Sequence, residues 1–178
     1  MLRRVTMVAG LFVLAFSGNS VVNAAAPGFS SWDDVLSTAR GQTLNWNFWG
    51  GSDGINRFVD EIYGQALADE FGITLNRIPL KDTVDAVNQV LSESEAGITG
   101  DGGSIDLIWI NGENFATLKQ ADLLYGPFAE GLPNNGLVDW DNPVVSIDFG
   151  IPVDGYETPW ATFVFQFIYD QARHSAQE

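Results

Sequence analysis

Residues 44–56, LNWNFWGGSDGIN, constrain the fold more than any other stretch of this 178-residue chain. An apolar, aromatic-rich run that follows the β-branched Thr43 breaks on Gly50 and Gly51 and passes straight into a segment of helical periodicity. At such a junction the end of the strand and the free N–H groups of the helix open into one crevice, where a polar ligand can rest.

The surrounding pattern extends this unit. Ser31, with Asp34 three residues on, reads as a helix N-cap, and Gly41 closes that short helix. Residues 43–49 read as the first strand. Ile55, Phe58, Val59, Ile62, Ala66, Leu67 and Phe71 then recur at helical spacing until Gly72. Residues 73–80 form a second strand, and Val84, Val87, Val90 and Leu91 mark a second helix. A glycine-rich connection at 97–104 leads to a third strand at 105–110, followed by a helix at 115–124. Residues 126–159 are rich in Pro, Gly, Asn and Asp and carry no long element, whereas 160–169 are apolar enough for a buried strand. Strand and helix alternating in this way predict an α/β fold with a mainly parallel sheet and helices on both faces.

Residues 1–24 stand apart. Arg3 and Arg4 precede an apolar run of 12 residues, 5–16, and a small-residue tail ends in Val22-Asn-Ala24. That is the form of a secretory signal cleaved near Ala24, and the run is shorter than the ~20 apolar residues a membrane span needs. Without cysteine there are no disulfides, thiolate metal sites or lipid-bearing N-terminal cysteine. The expected location is the periplasm. Removing 24 residues leaves 154, enough for one domain, with six basic residues against 23 acidic ones. Such a charge repels nucleic acid and anionic lipid and favours cationic partners, although it also serves plain solubility.

Covalent chemistry finds few parts. The single histidine, His174, lies in the C-terminal tail, so neither a Ser-His-Asp set nor a multi-histidine metal site can be assembled. The acid pairs Asp33/Asp34, Asp60/Glu61, Asp69/Glu70 and Glu93/Glu95 sit on predicted helix faces, where carboxylates are commonly just solvated. The glycines at 97–103 precede a strand, the wrong order for a phosphate loop. Those at 50–54 follow one but lack the lysine of a phosphate loop and the full GxGxxG spacing. Trp46, Phe48, Phe58 and Phe71 suit a core. Trp49, Trp109, Tyr156 and Trp160 fall near strand ends, where an aromatic face beside Asp53, Glu113 or Glu157 suits a cation or alternatively packs at the rim.

Together the exported leader, WNFWGGSDGIN at 46–56, IDLIWINGEN at 105–114 and YETPW at 156–160 resemble the periplasmic solute-binding proteins of ABC importers, in a branch related to the thiamine, iron and polyamine binders. The likeness runs from about residue 41 to 169. It implies a non-enzymatic protein, without cofactor or metal, that captures a small solute for an inner-membrane permease. A cationic or heteroaromatic solute is weakly favoured. By motif position it places Trp49, Gly51, Ser52, Asp53, Asn111, Glu113 and Asn114 on the binding rim of the first lobe, with Tyr156 and Trp160 at the approach to the hinge. It further implies a first lobe at 25–160 and a crossing strand at 161–178, with the second lobe missing, so that a truncated product is expected. A secreted carbohydrate-active hydrolase and a non-functional fragment are the alternatives.

Overall fold

The computed structural model describes residues 26–161 together with Asp170 and Arg173. Helix α1, Trp32–Ala39, starts at Ser31, whose hydroxyl accepts the Asp34 N–H at 3.2 Å. Strand β1 covers Thr43–Trp49. Helix α2 begins at Asp53–Phe58 and continues through π-helical turns at Val59–Gly64 and Leu67–Phe71, ending at Gly72 in the left-handed region. Strand β2, Thr74–Leu80, and helix α3, Thr83–Glu95, follow. Next come β3 at Leu107–Ile108, α4 at Gly112–Gln120, the one-turn α5 at Pro143–Ser146, and the short strands β4 at Ile147–Asp148 and β5 at Ile151–Pro152.

The main sheet is parallel, ordered β2-β1-β3, and β4 and β5 form a separate antiparallel hairpin. Alternation along β1 sends Leu44, Trp46 and Phe48 into the core, each less than a tenth exposed. Val59 of α2 is fully buried against Trp46 and Phe48, while Leu67 and Phe71 close over Leu44 and Ile73. Burying a side chain of this size stabilises by about 1.5–3 kcal/mol. That packing fixes α2 on one face of the sheet. The step from β1 to β2 runs in the opposite direction to the step from β2 to β3, so right-handed crossovers set α2 and α3 on opposite faces. In keeping with this, α3 packs on β1, β2 and α4, with Ala86 and Val87 buried outside the α2-side clusters. A third cluster, Phe128, Ala129 and Leu132 with Trp32, Tyr125 and Trp140, joins the later loops to α1.

The α/β class and the parallel sheet agree with the sequence reading, and three details differ. The third strand pairs over two residues rather than the expected 105–110. Its N-terminal side is tied by a side chain, the Asp106 carboxylate accepting the Asn45 N–H at 2.8 Å in place of a ladder bond. The helix expected at 115–124 lies at Gly112–Gln120 and stops before Asp122, whose φ of 56° breaks it. Phe58, assigned to the core, is 46% exposed, because the π-helical turns that follow it rotate the helix face. The leader, most of the strand expected at 160–169, and His174 lie outside the described residues.

Candidate functional site

In an open parallel sheet, ligands bind beyond the carboxyl ends of the strands where the order reverses. Here the reversal lies between β1 and β3. Asn47 pairs with Ile108, so Trp49 is level with Ile110, and the 50–53 and 111–114 loops leave the same sheet end side by side.

The first loop is shaped by its glycines. A Cβ on Gly50 would lie 2.5 Å from the Pro79 Cβ, and the Gly50 N–H reaches the Leu80 carbonyl at 3.0 Å. A Cβ on Gly51 would overlap the Trp49 indole, which folds back across that backbone and remains 44% exposed. Ser52 caps α2 by accepting the Ile55 N–H at 3.4 Å, and Asn56 donates to the Gly50 carbonyl at 2.9 Å. Asp53 is exposed at the first turn. Trp49, Gly51, Ser52 and Asp53 therefore share one exposed loop.

The second loop is held from outside the sheet. Gly112 adopts φ +57°, its N–H donates to the Asp148 carboxylate, and the Phe149 ring lies against it, 3.2 Å from where a Cβ would be. Asn111 and Glu113 are exposed and Asn114 is half-buried. Lys119, near the end of α4, fastens the hairpin. Its ammonium donates to the Pro152 carbonyl, pairs with Asp154 at 2.6 Å, and stands 5.6 and 5.8 Å from the Phe115 and Tyr156 ring centres. Burial, with repulsion from Asp148, pushes the neighbouring Glu157 carboxyl up to about 8, against a smaller opposing pull from Lys119.

Tyr156 thus belongs with the second loop through Lys119. Trp160 packs with the core: it meets Trp109 at 5.2 Å and Trp46 at 6.2 Å between ring centres, both edge-on. The indole N–H groups of Trp46 and Trp160 are buried without a hydrogen-bond partner. Sequence reading missed Asp148, Phe149 and Lys119. The motif search centred on strand ends, and these residues reach the loop from 36 positions downstream or from the far end of α4. Among the described residues no cluster of three or more His, Asp or Glu side chains is placed to hold a metal, and no helix is long and apolar enough to cross a membrane.

The fold and this loop pair define an α/β unit with an exposed polar and aromatic rim, made for contact rather than for any recognisable catalytic set. The chain is similar to Protein YnjB of Escherichia coli (strain K12), 43% identical over 139 residues, which is 78% of this chain and 35% of that protein. The chain therefore spans about a third of the length of the curated relative it matches. No family model matches the chain. No solved structure matches it either.

Proposed function

We propose that the described unit is one lobe of a periplasmic solute-binding component of an ABC importer, capturing a small solute and presenting it to a permease without covalent change. The observation that carries this reading is the sheet order β2-β1-β3, with the 50–53 and 111–114 loops flanking its reversal point. Both loops offer backbone and short polar side chains, and the acids around them favour a cationic solute. A sheet end with one wall covers less of a ligand than a closed cleft does, so affinity depends on a facing surface. Screening the exported chain by thermal shift against amines, vitamins and sugars tests the reading. A ligand that binds only the folded chain raises its stability by RT ln(1 + [L]/Kd), and no response across the library overturns it. Mass spectrometry of the secreted product checks export, with an N-terminus near residue 25 expected.

A further inference from the structure

Phe149 is the most exposed large apolar side chain among the described residues, at 81%. It sits at the tip of the β4–β5 hairpin, where Phe149 and Gly150 both have positive φ, 45° and 86°. A two-residue turn of this kind is built for Asn-Gly or Asp-Gly, and a bulky residue in its first position is strained by about 1–3 kcal/mol. Asparagine in place of this phenylalanine would make a better turn and a more soluble surface. The ring is nevertheless given a place, because Gly112 leaves room for it. Gly112 opens α4 directly beyond the end of β3, so the ring stands at the reversal point of the sheet.

The charge around the ring has one sign. Asp148 precedes it and Glu157 lies near Asp148, while the local cation, Lys119, is engaged by Asp154 and the Pro152 carbonyl. Resting on the solute-binding reading above, we infer that Phe149 is a stacking platform for a planar, positively charged ring, with Asp148 and Glu157 supplying the complementary charge. One face of the ring meets the Gly112 backbone, and the exposed remainder offers the negative π-surface that attracts cations.

The test uses N-methylquinolinium and its neutral counterpart quinoline at pH 8, with the full chain titrated by fluorescence and by NMR. The cation is expected to bind at least tenfold more tightly than quinoline. Phe149→Asn is expected to raise Tm by relieving the turn while weakening cation binding at least tenfold, a pairing that a merely structural phenylalanine would not give. Phe149→Trp is expected to keep binding. Equal binding of quinoline, or a Phe149→Asn variant that binds as the parent does, overturns the platform. So does a concentration-dependent dimer that Phe149→Asn dissolves, since a second copy would then cover the ring. A solute from the thermal-shift library that stabilises parent and variant equally refutes the platform but leaves the binding reading standing, whereas a silent library overturns both.

Discussion

The indole of Trp49 lies across the backbone of Gly51 two residues later, so the last side chain of β1 roofs the loop that begins α2. Glycine at 51 is required by this contact and glycine at 50 by another, against Pro79 of the neighbouring strand.

The two glycines therefore respond differently to alanine. At residue 51 the obstacle is a half-exposed ring that can swing away, so Gly51→Ala is expected to cost under about 1 kcal/mol and to red-shift tryptophan emission as the indole enters water. At residue 50 the obstacle is the Pro79 side chain and backbone within a paired ladder, so Gly50→Ala is expected to cost about 1–3 kcal/mol. Urea unfolding of both variants checks the order, and equal losses would refute it.

Glu157 makes stability depend on pH in a defined direction. Its folded-state pKa of about 8 lies above the ordinary 4.5, so between these values the folded chain binds more protons than the unfolded one. Its contribution is therefore complete below about pH 4.5 and fades as pH rises through 8. After discounting for partial solvent screening, the loss is roughly 2 kcal/mol. Glu157→Gln is expected to remove this component of the pH profile in chemical denaturation; a parent and variant with parallel profiles would contradict it.

Lys119→Met keeps the aliphatic stem and removes the charge that holds β5 and Asp154. The ion pair and ring contacts are worth about 0.5–2 kcal/mol together at a site where Asp154 is largely exposed. Amide exchange is expected to accelerate at residues 147–153 while the amides of β1 stay protected. Uniform acceleration across both regions would show that the hairpin is not a separate unit.

Trp160→Phe shortens an edge-on contact with Trp109 but also deletes a buried N–H that has no partner. The lost contact area, about 1–3 kcal/mol, is thereby partly offset by removal of an orphan donor worth about 1–3 kcal/mol. A near-neutral change in stability is expected, together with loss of the Trp109–Trp160 exciton couplet in circular dichroism. Retention of the couplet would place the coupling elsewhere.

What the sequence made legible was local. Ser31, Gly72 and the Gly50-Gly51 break each act within a few residues of themselves, and β1 falls where its aromatic run placed it. The rim residues 49–53 were readable for the same reason. Gly112 was not, because its partners Asp148 and Phe149 approach from a hairpin whose Phe-Gly turn carries none of the usual Asn-Gly signature. Trp160 shows the complementary difficulty. A tryptophan at a strand boundary suits a rim or a core equally in sequence, and only the proximity of Trp46 and Trp109 assigns it to the core side. The short β3 follows from Asp106, a side chain substituting for backbone in a manner no periodicity reveals.

The anchoring of the 111–114 loop by a detachable hairpin separates two kinds of heritable change. Substitutions at the hairpin tip alter what the rim presents to the outside, yet they leave the hydrophobic face of β1 untouched. A lineage carrying this arrangement can exchange one cargo for another through a six-residue patch, 147–152, while the folding nucleus stays under separate and stricter selection.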